Sequence, residues 1–147
     1  MKIAIGCDHG GLHHKKAIMK YLTEKGYLIQ DFGTDSAQSV DYPDIAVPVA
    51  RSVASGENTL GILICGTGIG MSLTANKIKG IRAAACSDHY SVKYTRMHNN
   101  ANILCIGGRV IGVGTALELV KLFVETKFEG GRHQQRIDKI TALENES

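Results

Sequence analysis

Residues 61–77 read GILICGTGIGMSLTANK, an apolar run that ends on Cys65 and is followed by glycines at every second position, Gly66, Gly68 and Gly70. Lacking Cβ atoms, these glycines let the chain turn tightly and let a ligand come close to backbone N–H groups. The chemistry on offer is a thiol acting as base or nucleophile beside a site for an oxyanion or phosphate. The same residues would also suit an ordinary strand-to-helix turn over a buried, inert cysteine. A phosphatase nucleophile needs an arginine at the sixth position after the cysteine to close its phosphate loop. That position is Met71, so phosphoryl transfer loses its main support. A proton-abstracting base remains, its thiol activated by the helix N-terminus and by hydrogen bonding. Thr67, inside the turn, can shuttle a proton, steady a thiolate or simply cap the helix.

Three further groups carry polar chemistry. Asp8 and His9 follow an apolar run and precede Gly10-Gly11, where an anion would meet both a helix N-terminus and an imidazole. Asp8 can handle a hydroxyl proton there, or merely cap the helix. His13 and His14, one turn further on, read as solvated and incidental. His98-Asn99-Asn100 stands just before an apolar run, and so at the opposite end of a strand from Cys65. A six-residue strand spans about 20 Å. A catalytic His98 would therefore serve the site of a neighbouring subunit, making the enzyme an obligate dimer; otherwise it is a surface histidine. Arg132 and Arg136, four apart, share one helix face and can clamp a phosphate, with Arg109 as a third guanidinium. A solvated basic face has the same spacing.

The elements that must hold these groups alternate along the chain. Short apolar runs at Lys2–Cys7, Tyr27–Phe32, Gly61–Cys65, Ile81–Cys86 and Asn102–Ile106 read as five parallel strands, because most lack the polar alternation of a half-exposed sheet. Amphipathic stretches lie between them: one from Leu12 to a stop at Gly26, then Pro43–Ala54, Met71–Ile78, Tyr90–Met97 and Val113–Thr126. Pro48 sits near enough to the start of the second helix to be tolerated or to kink it. A polar tail helix, about Arg132 to Leu143, looks too polar to pack alone and is expected to dock on a partner subunit. In an open parallel sheet the ligand site lies beyond the carboxyl ends of the strands, where Asp8, Cys65 and Gly107-Gly108-Arg109 gather.

Composition narrows the classes. The 147 residues fit one domain, 1–147, with a real core: 44% are hydrophobic and 21% charged. A net charge of +3, few aromatics and no Trp argue against nucleic acid and suit a small anionic ligand. With no bilayer-length apolar run and a strand-like start, a cytoplasmic protein without membrane contact is expected. Cys7, Cys65, Cys86 and Cys105 show no metal-ligand spacing and read as reduced thiols.

Taken together, Asp8-His9-Gly10-Gly11, Tyr42-Pro43-Asp44, Cys65 through Met71, Ala75-Asn76-Lys77, His98 through Asn102 and Gly107-Gly108-Arg109 resemble the type B ribose-5-phosphate isomerases. The motifs occur in family order over nearly the whole chain. The same family holds isomerases of allose 6-phosphate and galactose 6-phosphate. The resemblance implies a three-layer αβα sandwich of the Rossmann or flavodoxin-like kind with a five-stranded parallel sheet. It also implies a homodimer with shared active sites, alone or paired into a tetramer, needing no metal or cofactor. The activity implied is aldose–ketose isomerisation of D-ribose 5-phosphate and D-ribulose 5-phosphate through a cis-enediolate, a step of the pentose phosphate pathway. Cys65 matches the base, the amides of Gly66, Thr67, Gly68, Ile69 and Gly70 the anion hole, and His98 the ring opener, with Asp8 handling hydroxyl protons. His9, Arg109, Arg132 and Arg136 match phosphate ligands, and Tyr42 and Asn99 substrate contacts. Some relatives place a glutamate base where this chain has Met71. Two alternatives stand beside this reading: a six-carbon sugar phosphate as substrate, or a non-catalytic sugar-phosphate-binding subunit.

Overall fold

The structure is a computed structural model and describes residues 1–146. Strands β1 (Lys2–Cys7), β2 (Leu28–Asp31), β3 (Leu60–Cys65), β4 (Ala83–Ala85) and β5 (Ile103–Gly107) form one parallel sheet in the order β2-β1-β3-β5-β4. Six helices accompany it: α1 (Leu12–Glu24), α2 (Tyr42–Ala54), α3 (Ile69–Ala75), α4 (His89–Asn99), α5 (Val113–Glu125) and α6 (Arg132–Glu144).

The continuous apolar strands are the ones covered on both faces. Every residue of β3 and β5 is buried. Alternate side chains Ile3, Ile5, Ile62, Ile64, Leu104 and Ile106 pack beneath α1 and α5, with Val92 of α4 in the same cluster. Their neighbours Ala4, Leu63, Ile103 and Cys105 face α2 and α3 on the other side. The result is the expected three-layer αβα sandwich. Its order differs from the flavodoxin order 2-1-3-4-5 by exchange of the last two strands. Burial explains the exchange: β4 pairs over only three partly exposed alanines and takes the edge, whereas the fully buried β5 lies inside.

Pro48 is tolerated, and α2 runs unbroken from Tyr42 to Ala54. The tail also packs within its own chain. Helix α6 packs on α4 of its own chain, burying His133 and Ile137, and Glu144 accepts a hydrogen bond from the Gly80 amide at 3.0 Å. In α1, His14 departs from its reading as a solvated residue, and Lys15 is buried beside it. His14 is buried, with Nε2 2.8 Å from the Ile111 carbonyl oxygen. Lys15 is 1% exposed and donates to Asp31 at 2.8 Å, the Thr34 carbonyl at 2.7 Å and Asp35 at 3.1 Å. This ion cluster ties α1 to the segment following β2.

Candidate active site

Strand β1 feeds β2 on one side while β3 lies on the other, so the sheet opens a crevice between the carboxyl ends of β1 and β3. Asp8 and Cys65 stand at those two ends, and Gly107 pairs with Cys65 from β5. The three loops that leave these strands touch backbone to backbone. A Cβ on Gly108 would lie 2.5 Å from the Gly10 carbonyl oxygen, and one on Gly10 only 3.3 Å from the Gly66 nitrogen. Arg109 donates its amide to the Gly66 carbonyl at 3.0 Å, and Gly108 donates to that of Cys65 at 2.8 Å. Small residues in these loops bring three strand ends into one wall.

Against this wall lies an open cavity of about 410 Å³ lined by Asp8, Tyr42, Cys65, Gly66, Thr67 and Gly70, with Ile69 and Leu73 at its apolar rim. Cys65 is 5% exposed, its sulfur accepting a hydrogen bond from the Gly68 amide at 3.1 Å. Gly68 has φ +81°, which closes the turn and leads into α3. The expectation of five free amides is refined by these bonds. Gly68 serves the sulfur, and the Ile69 amide donates to Thr67 Oγ1 at 3.2 Å. The amides of Gly66 and Thr67 donate to no protein group among the described residues, and that of Gly70 belongs to the unpaired first turn of α3. Those three are left for an anion.

The remaining members of this half are arranged around the cavity. Asp8 is 7% exposed and accepts from the Gly10 amide at 2.8 Å through one oxygen. His9 Nδ1 accepts from the Val40 amide at 3.3 Å, which leaves Nε2 as the edge able to donate. The Tyr42 ring lies on Gly70, where an added Cβ would come within 2.7 Å. Arg109 is exposed, its side chain over Gly66.

His98, Asn99, Arg132 and Arg136 are elsewhere. Helix α4 runs back from the carboxyl edge, so His98, nine residues beyond His89, lies about 13 Å along its axis toward the amino edge. His98 and Asn99 line a separate groove of about 350 Å³ with Cys86, Tyr90, Tyr94 and Thr95. Arg132 and Arg136 are exposed on α6, on either side of the buried His133. His133 stacks on His98 with ring centroids 4.0 Å apart. Burial, then the neighbouring His98 and both arginines, hold the His133 imidazole below its ordinary pKa against the opposing pull of Glu129. One chain thus places a thiol in a glycine turn at one edge of the sheet and a histidine with a guanidinium pair at the other. Glu129 and His133 escape a reading of the sequence, because they meet His98 only after α6 folds back on α4.

The family profile for ribose/galactose isomerases matches residues 3–140. Ribose-5-phosphate isomerase B of Escherichia coli is 50% identical over 143 residues, covering 97% of this chain and 96% of that protein. The D-erythrulose-4-phosphate isomerase of Pectobacterium atrosepticum is 40% identical over 147 residues, covering 99% and 97%. Among solved structures, ribose-5-phosphate isomerase B of Clostridium thermocellum superposes with a TM-score of 0.97 at 50% identity, covering 98% of this chain and 97% of that one. The Mycoplasma genitalium enzyme, solved with bound ribulose-5-phosphate, superposes with a TM-score of 0.96 at 42% identity, covering 99% and 97%. With the fold, the motifs and these relatives in accord, the chain belongs to the ribose/galactose isomerase family and is of the type B ribose-5-phosphate isomerase kind.

Proposed function

We propose that the protein interconverts D-ribose 5-phosphate and D-ribulose 5-phosphate at a metal-independent site built from two copies of the chain. The observation that carries this reading is the Cys65 sulfur, held by the Gly68 amide at 3.1 Å and set beside the buried carboxylate of Asp8, in a turn that keeps the Gly66, Thr67 and Gly70 amides for an anion. Cys65 takes the C2 proton of the open-chain aldose, the electron pair moves into a cis-enediolate, and the same sulfur returns the proton to C1. The turn amides hold the enediolate charge. Asp8, with the Thr67 hydroxyl, moves the proton between O2 and O1. His98 of the second copy opens the furanose ring before this step, and His9, Arg109, Arg132 and Arg136 hold the phosphate. Tyr42 and Asn99 contact the sugar.

Sharing follows from the separation of the half-sites, since neither edge alone holds both base and ring opener. The exposed Ile69, Leu73 and Tyr90 lining the two cavities offer apolar surface for such a homodimer. No helix among the described residues is long and apolar enough to cross a membrane, consistent with the cytoplasmic metabolic setting proposed for the enzyme.

Two measurements test the reading. Cys65→Ala abolishes turnover of ribose 5-phosphate; full activity in that variant refutes the base. Cys65→Ala and His98→Asn protein, mixed under subunit exchange, regain activity, because each mixed dimer carries one intact site. Random pairing makes roughly half the dimers mixed, so recovery approaches about a quarter of wild-type activity. Zero recovery refutes the shared site. Relative kcat/KM for four-, five- and six-carbon aldose phosphates fixes the preferred substrate.

A further inference from the structure

We propose that Glu129 and His133 are positioning residues for His98, holding the ring opener in the plane from which it acts. The inference rests on the ring-opening role of His98 given above. Two rings hold His98: His133 stacks on it with an interplanar angle of 9° and centroids 4.0 Å apart, and Tyr94 lies against it at a tilt of 55° with centroids 4.9 Å apart. Glu129 Oε2 lies 3.8 Å from His98 Nε2 and 3.3 Å from His133 Nε2, so a single carboxylate faces the same edge of both rings.

The backbone is built to deliver this arrangement. The Glu129 amide donates to the Met97 carbonyl at 3.0 Å, tying the carboxylate-bearing residue to the end of α4 one residue before His98. Gly130 and Gly131, with φ of +72° and +59°, then turn the chain into α6, whose second residue is His133. His133 is 4% exposed and its Nε2 is a buried nitrogen with no well-directed hydrogen bond of its own. A buried polar group left in that state costs stability, which a purely structural role would have avoided with an apolar side chain. Burial, then His98 and the two flanking arginines, hold the pKa of this ring below its ordinary value, against the opposing pull of Glu129.

The same three groups place their ligating atoms within 4.8 Å of one another, as a metal site would. Near-parallel rings, however, send their Nε2 lone pairs side by side, whereas zinc needs them converging at about 2.0 Å. Such rings suit a platform better than a chelate. His98 itself is about one-third exposed on α4, so without the platform and the carboxylate its ring would swing. Partners that orient metal-bound histidines are worth about 10- to 100-fold in activity, and the same scale is expected for a histidine oriented by a stacked ring and a carboxylate.

The test separates ring opening from proton transfer. Ribulose 5-phosphate carries phosphate on the only hydroxyl that could close a furanose, so it stays open-chain. Deuterium incorporation at its C1 in D2O needs the Cys65 step and no ring opening. Glu129→Gln and His133→Asn are expected to lower turnover of ribose 5-phosphate at least about tenfold while C1 exchange stays within about twofold of wild type. Glu129→Gln keeps size and sits on a half-exposed loop, so it remains informative if the His133 variant does not fold. Parallel loss of both readouts, or loss of neither, overturns the inference. His98→Asn in the same pair of assays guards the parent reading. If it leaves ribose 5-phosphate turnover intact, the ring opener is misassigned; if it alone loses turnover, only the positioning inference fails.

Discussion

Gly68 is where the fold and the chemistry meet, and replacing it by alanine tests both. Its φ of +81° puts the residue in the left-handed region, which costs an L-residue with a Cβ about 1–2 kcal/mol. The new methyl would stand 3.0 Å from the Ile106 carbonyl carbon and 3.1 Å from the carbonyl carbon and oxygen of Cys105. These are backbone atoms of the buried inner strand β5, so the turn must move and not its neighbour. Forced overpacking of this kind costs about 1–3 kcal/mol. The sum, about 2–5 kcal/mol, lowers Tm by roughly 5–15 °C in a chain of this length. Displacing the turn also pulls the Gly68 amide off the Cys65 sulfur, and a misplacement near 1 Å costs about 10²-fold in kcat. Gly66→Ala is the matched control for stability: a methyl there meets only the Arg109 side chain, at 3.6 Å, and its Tm is expected within about 2 °C of wild type. Differential scanning calorimetry and steady-state kinetics read the two quantities. A Gly68→Ala protein with wild-type Tm and wild-type kcat would refute the assignment of this turn as a rigid holder of the base.

Two other outcomes follow from titratable groups outside the Cys65 turn. Lys15→Met removes a cation that four oxygens surround, leaving Asp31 partly exposed and still accepting from the Gly33 amide at 2.8 Å; a loss of about 3 kcal/mol is expected in urea unfolding, and an unchanged midpoint would show that the cluster is dispensable. Burial pushes the Cys7 and Cys86 thiols up to about 11 from an unfolded value of 9.0, so the folded state keeps protons that the unfolded state releases. Stability from these groups is complete below pH 9 and lost as pH rises toward 11; Cys86→Ser should flatten that decline, and a melting temperature that rises over this range would refute the assignment.

What the residues disclosed in advance depended on how local the physics was. β1, β3 and β5 are legible because full burial on both faces erases polar alternation. β2 and β4 come out shorter than expected, at Leu28–Asp31 and Ala83–Ala85, because an edge strand pairs on one side only and its apolar flanks run on without partners. The placement of Cys65 was equally legible: strand end, glycine turn and helix start are contiguous, and the switch-point rule brings Asp8 beside it from another strand end. Lys15 was not. A lysine in an amphipathic helix reads as a surface residue, and its acceptors Asp31 and Asp35 lie 16 and 20 residues away beyond a strand. His14 and His133 escaped for the same reason, since each is explained by a contact made only after distant segments pack.

The separation of the half-sites has a cause in the architecture. In a parallel α/β sheet every helix returns the chain from the carboxyl edge to the amino edge, so a side chain at a helix C-terminus ends a strand length away from the chemistry at the strand ends. His98 is the penultimate residue of α4, and the tail that carries Arg132 and Arg136 is fastened to that same helix. Their distance from Cys65 is therefore set by the winding of the fold, and no side-chain rotation within one chain removes it. If His98 opens the ring and Arg132 and Arg136 hold the phosphate as proposed, they act on substrate held by another copy. In the proposed homodimer that requirement becomes an advantage, because the furanose is opened by one subunit while its C2 proton already faces the base of the other.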